Sequence, residues 1–135
     1  MAGMRARSNV DENRCDIEGR LTADPTFTPD KKKRGTQTAP FIEFTMAVNS
    51  NPYNRRTTAY LHAIAWGKTA EKINAMELTK GYGVNIIAGY QTRHIKTDEN
   101  AAAVYGDFNV KKLRILSLPA SHEVEEEESE DVSAD

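Results

Sequence analysis

The stretch Tyr60-Leu61-His62-Ala63-Ile64-Ala65-Trp66-Gly67-Lys68-Thr69-Ala70-Glu71-Lys72 decides the fold. Successive side chains of a strand point to opposite faces, so Tyr60, His62, Ile64 and Trp66 share one face and Leu61, Ala63 and Ala65 the other. This puts the small residues under a core and the rings outward. Gly67 ends the alternation. From Lys68 to Leu78 the period becomes helical, with Ala70, Ile73 and Glu77 in one row, and Lys80-Gly81 supplies a C-terminal cation and a stop. A strand therefore runs straight into a short helix.

Working outward, Cys15, Ile17 and Leu21 open a first strand that ends at Asp24-Pro25, because proline has no N–H for a ladder and Asp favours turns. Lys31-Lys32-Lys33-Arg34-Gly35 reads as the basic tip of a loop where a hairpin reverses. In the second strand Ile42, Phe44, Met46 and Val48 face one way and Glu43, Thr45 and Ala47 the other, the mark of a half-buried strand. Asn49 to Thr58 reads as a long mobile loop. Beyond the helix, Val84, Ile86, Ala88 and Tyr90 alternate in a fourth strand, and Asp98-Glu99-Asn100 forms a turn. The last strand, Tyr105 to Leu118, has Phe108 and Val110 on even positions but Leu113 and Ile115 on odd ones, which predicts a bulge of the kind that helps sheets curl into barrels. Five strands with a helix between the third and fourth match the order of an OB-fold, a five-stranded Greek-key barrel. The class is all-β with one short helix.

Charge divides the chain unevenly. Residues 1–118 hold all 18 Lys and Arg against 12 Asp and Glu, a net of +6, whereas residues 119–135 hold 8 acids and no base. The overall charge of −2 thus hides a basic body with an acidic end. A basic body suits an anionic partner, and a run of like charge stays solvated. The expected organisation is a flexible N-terminal arm (1–12), one barrel domain (13–118) and a disordered acidic tail (119–135). No stretch approaches the roughly 18 apolar residues of a membrane span, and Met1 to Asn13 lacks the apolar segment of a signal peptide. The single cysteine, Cys15, excludes an internal disulfide and a zinc cage of paired cysteines, so a reducing, cytoplasmic location is expected.

Several segments resemble the bacterial single-stranded DNA-binding protein family in sequence and order: Asn13 with Ile17-Glu18-Gly19-Arg20-Leu21-Thr22-Ala23-Asp24-Pro25, Phe44-Thr45-Met46-Ala47-Val48-Asn49, Ala65-Trp66-Gly67-Lys68-Thr69-Ala70-Glu71-Lys72, Lys80-Gly81 and Gly89-Tyr90-Gln91-Thr92-Arg93. The resemblance covers roughly Asn13 to Leu116. It implies a nucleoid-associated OB-fold domain that assembles into homotetramers, covers unpaired DNA in replication, recombination and repair, and recruits partner proteins through an acidic tail. It implies neither catalysis nor a cofactor.

A binder indifferent to sequence engages what every nucleotide shares, a phosphate and a π-face, and so needs cations interleaved with aromatic platforms. Tyr60 and Trp66 match base-stacking positions of the family, and Tyr53 lies near a third. His62 shares their face. Arg55, Arg56, Lys68, Lys80, Arg93 and Lys96 are the phosphate-neutralising candidates, with Lys31 to Arg34 as an extension of the path. The same pattern also fits partly buried core aromatics, a solvated hairpin tip and a histidine engaged in a surface hydrogen bond.

The chain departs from the family in two places. Ile95 follows Arg93-His94 where the family presents an aromatic, which removes one platform. The tail keeps the acids but ends Val132-Ser133-Ala134-Asp135 without a small hydrophobic tip, so its contacts with replication and repair proteins should be weak. That suits a phage, plasmid or accessory member. A replisome adaptor on the same fold and an RNA chaperone are the competing binding functions, since stacking and phosphate contacts do not by themselves distinguish sugars. A nuclease needs gathered carboxylates, whereas Asp24, Asp98 and Asp107 read as turn or strand-edge residues with no metal-ligand spacing. Deleting residues 119–135 is expected to tighten binding to a single-stranded oligonucleotide at low salt, measured by titration. An unchanged affinity would count against a competing tail.

Overall fold

The computed structural model describes residues 10–96 and 102–119, with backbone alone for 95, 96, 102 and 103. The expected 98–100 turn, most of the N-terminal arm, the acidic tail beyond Pro119 and the side chains of Ile95 and Lys96 lie outside the described residues. Strands β1 (Cys15–Leu21), β2 (Thr26–Arg34), β3 (Gln37–Ser50) and β4 (Thr57–Trp66) precede helix α1 (Gly67–Ala75), which is followed by β5 (Gly83–Lys96) and β6 (Ala102–Ser117). The sheet runs β1-β5-β6-β4-β3-β2, and β1 also pairs with β3. Five strands thus close into the ring β1-β5-β6-β4-β3, as the element order predicts, while β2 extends β3 as a hairpin arm.

Closure occurs at Gly19 and the residues that follow it. β1 pairs with β5 from Cys15↔Ala88 to Arg20↔Gly83, then with β3 at Arg20↔Ala47 and Leu21↔Met46. A Cβ on Gly19 would lie 2.7 Å from the Ala47 carbonyl oxygen, 3.0 Å from Val48 Cγ2 and 3.2 Å from Met46 Cε. Only a residue without a side chain lets the two backbones approach so closely. At its other end β1 is held by Asn13, whose side-chain amide donates to the Tyr90 carbonyl (2.7 Å) and accepts from the Tyr90 N–H (2.9 Å), standing in for a further rung.

The core follows the alternation. Ile42, Phe44 and Met46 face Ala65, Ala63 and Leu61 across the β3–β4 ladder, so the two largest side chains of the row meet alanines. All of these except the half-buried Leu61 join Leu21, Ala70, Ile73, Leu78, Val84, Ile86, Ala88, Val110 and Leu113 in one buried cluster. Each fully buried Ile, Met or Val contributes about 1.5–3 kcal/mol relative to exposure. The predicted bulge is present: Ile87 pairs with Lys112 but Ala88 with Val110, which leaves Lys111 as the extra residue and lets both Val110 and Leu113 turn inward.

Four expectations need correction. The basic stretch Lys31 to Arg34 is not a loop but the end of β2, with the reversal at Gly35-Thr36. Its irregular register between Thr28 and Lys31 coincides with Pro29, which has no N–H to give. The loop expected over Asn49 to Thr58 shrinks to a short connection containing a 3-10 turn at Pro52–Asn54, because β3 and β4 stay paired out to Ser50↔Thr57. The helix ends at Ala75, and Glu77 is exposed with a left-handed φ of 55°, so Leu78 rather than Glu77 completes the buried row. Ile64 shares the outward face of Tyr60 yet is buried, because β3 and β6 flank it with Glu43 and Asn109 directly alongside.

Gly19→Ala should destabilise the domain by about 1–3 kcal/mol through overpacking at the closure. Thermal unfolding followed by circular dichroism should show a midpoint lowered by roughly 4–8 °C for each kcal/mol.

Candidate nucleic-acid interface

The outward faces of β3, β4, β5 and β6 carry two groups of side chains. The first forms where β3 meets β4 beside the β2 arm. Phe41 and Trp66 are direct cross-strand partners with ring centroids 4.5 Å apart and tilted by 52°. Lys31 Nζ lies 5.1 Å from the Phe41 ring centre and Lys33 Nζ 6.0 Å from that of Trp66, within cation–π range. Phe41 is buried and Trp66 half-buried, so the indole keeps an accessible surface while its other side is backed by a ring. Tyr60 stands on the same face of β4 opposite Ala47, with 70 % of its surface open.

The second group crosses the sheet. Asp107, central in β6 and only 3 % exposed, accepts from His62 Nδ1 at 2.7 Å and from Arg93 Nε at 2.8 Å. His62 Nε2 in turn lies 3.6 Å from Glu43 of β3. Arg93 pairs directly with Tyr105 in the β5–β6 ladder, and its guanidinium carbon sits 5.2 Å from that ring centre. Burial pushes the Asp107 carboxyl up, but the hydrogen bonds from His62 and Arg93, with their charges, outweigh it and hold the group below the usual carboxylate range. An ionised Asp107 can only accept, so His62 carries its proton on Nδ1.

Asp107 is therefore not the strand-edge residue of the sequence reading but a buried anchor in mid-strand. Asp24 does sit at a turn, where it accepts the Lys80 backbone N–H at 2.8 Å. Among the sequence-predicted residues, the structure gathers His62 and Arg93 around one carboxylate and brings Trp66 against the lysines of β2. Tyr60 joins them by face alone. Tyr53, fully exposed with φ 55°, lies with exposed Arg55 and Arg56 in the β3–β4 connection, apart from both groups. Lys68 belongs to the first turn of α1 and Lys80 to its exit, both exposed and in neither group. Lys96 ends β5 opposite Ala102.

Sequence reasoning missed Phe41, Glu43, Asp107 and Tyr105. Parity was the available signal, since Phe41 and Glu43 sit on the outward rows of β3, and Tyr105 and Asp107 on that of β6. Among the described residues no three His, Cys, Asp or Glu side chains gather as metal ligands would. No helix there is long and apolar enough to cross a membrane.

A closed five-stranded barrel with one helix between its third and fourth strands in chain order is an OB-fold, and here aromatic and cationic side chains stand on its outward face. Solved structures share it. A small single-stranded DNA-binding protein from Streptomyces coelicolor aligns with TM-score 0.62 and 16 % identity over 79 % of this chain and 96 % of its own. A Plasmodium falciparum SSB in complex with ssDNA aligns with TM-score 0.67 and 15 % identity over 82 % of this chain and all of its own. The likeness at these identities is one of fold. The sequence matches no family model and no curated protein.

Because the Asp107 carboxyl titrates lower in the folded state than in the unfolded one, it stabilises the fold above about pH 4 and that contribution fades as the pH falls further. Asp107→Asn should therefore be less stable than the wild type at pH 7, with the gap closing below about pH 4, as measured by denaturant unfolding across that range.

Proposed function

We infer that the chain is a non-catalytic protein that binds single-stranded DNA with little regard to sequence. The observation that carries the reading is the shared outward face on which Trp66, Tyr60, His62 and Arg93 stand, with Lys31 and Lys33 at one end. Rings there would stack on bases and the cations would neutralise phosphates, the two features common to every nucleotide. The fold neighbours support the same reading, since one is described as a single-stranded DNA-binding protein and the other as an SSB in complex with ssDNA.

The sequence resemblance extends this to protection of unpaired DNA during replication, recombination and repair by a homotetramer. Tyr53, Arg55 and Arg56 on the β3–β4 connection, and Lys68, Lys80 and Lys96, would serve as outlying contacts. The two carboxylates in the middle of the face, Glu43 and Asp107, make it less basic than its cations alone suggest. Affinity should therefore rest on stacking as much as on charge.

Trp66 is the only tryptophan and reports its own surroundings. Titration with oligo-dT should quench its fluorescence, and log K should fall with log salt by about 0.7 for each phosphate neutralised. Tyr60→Ala should weaken binding by about 1–3 kcal/mol, the worth of one stacked base. Absence of quenching and of binding would overturn the function.

A further inference from the structure

We propose that Asp107 is a positioning residue that fixes Arg93 as a preformed phosphate seat on the nucleic-acid face. The proposal rests on the single-stranded DNA reading and deepens it. Arg93 is held on two sides before any ligand arrives: its Nε donates to Asp107 Oδ2 at 2.8 Å, and its guanidinium lies against the ring of its ladder partner Tyr105 at 5.2 Å. An arginine so engaged through Nε keeps both terminal nitrogens free, the pair that grips two oxygens of one phosphate. Arg93 remains half exposed, with 50 % of its side chain open, while Asp107 is shut away at 4 %. The carboxylate is thus withdrawn from a passing phosphate and the guanidinium is presented to it.

The second oxygen of Asp107 explains why the carboxylate itself does not wander. His62 Nδ1 donates to Oδ1 at 2.7 Å from the neighbouring strand β4, so the two oxygens are each committed to one cationic or polar partner. Asp107 is thereby immobilised by the sheet and passes its own fixity to Arg93. The consequence has an unusual sign. An acid on a DNA-binding face should oppose binding by simple charge, and removing it should tighten the complex. An acid that orders the essential arginine should do the reverse, because a long side chain fixed beforehand is not ordered at the expense of the complex.

Oligo-dT titrations of the full chain at several salt concentrations separate the two. Asp107→Asn is expected to weaken binding about three- to tenfold, the effect of ordering one long side chain during association instead of before it, with the salt slope unchanged. Arg93→Ala should weaken binding and also reduce the slope by about 0.7, the share of one phosphate on a single strand. In the Arg93→Ala background, Asp107→Asn should no longer weaken binding. Equal or tighter binding by Asp107→Asn, or a loss undiminished when Arg93 is absent, overturns the proposal. Should Asp107→Asn fail to melt cooperatively, Arg93→Lys decides: it keeps the charge and loses the fork, so weaker binding at an unchanged slope supports the seat and wild-type affinity refutes it. A wild-type chain that does not bind oligo-dT refutes the single-stranded DNA reading, a different result from a wild type that binds and an Asp107→Asn variant that binds equally well.

Discussion

Everything on the outward face depends on the closure of the barrel between β1 and β3. An open sheet of these strands would leave β1 and β3 each with a free edge and let the faces of β4 and β6 twist apart. Closure requires the chain to leave β5 and reach β3 within two residues, Arg20 and Leu21, each of which has a partner on β3. The backbone of β1 lies against Ala47 and Val48 because position 19 has nothing to put between them. From that contact the remaining geometry follows. With the ring shut, β4 is compelled to lie parallel to β6, and His62 comes to rest beside Asp107.

The two outward groups solve opposite problems. Around Trp66 a large apolar surface has to stay accessible, and it is steadied by Phe41 beneath it and by the lysines of an arm that belongs to no other part of the ring. Around Asp107 a charge has to be kept in a sheet that offers little water, and it is satisfied by donors from both neighbouring strands. The first group presents apolar surface with cations at its edges; the second presents a guanidinium with its counter-charge hidden. Between them lies Glu43, which touches only the second group, through His62. The face is therefore a patchwork whose character changes from ring to ion along the sheet.

Much of this was legible in the sequence where the information is local. The even row of Ile42, Phe44 and Met46 revealed the inner face of β3, the shift from Val110 to Leu113 revealed the bulge, and Trp66-Gly67 marked the turn from strand to helix. β2 was obscured because Lys31 to Arg34 offer no contrast between faces, so that a strand on the free side of a hairpin reads as a charged loop. The Asp107 cluster was hidden for a different reason. Its members lie 45 and 14 residues from the carboxylate along the chain, and the longer link exists only through a parallel pairing of strands that are not neighbours in sequence. Alternation says which way a residue points, but not which strand lies beside it.

The extra residue in β6 has an effect beyond the core. Up to Asn109 the odd positions lie on the outer side of the strand, with Tyr105 exposed and Asp107 covered by its neighbours; past Lys111 the even ones do, and the same side of the strand now displays Lys112 and Arg114. A single inserted amino acid thus changes the phase of the strand midway. It splices an anchoring segment onto a basic one while the hydrophobic side runs on unbroken. Without it Leu113 would be stranded in solvent and Lys112 driven into the interior, so the shape of the barrel and the distribution of charge over its exterior share one hinge point in the chain.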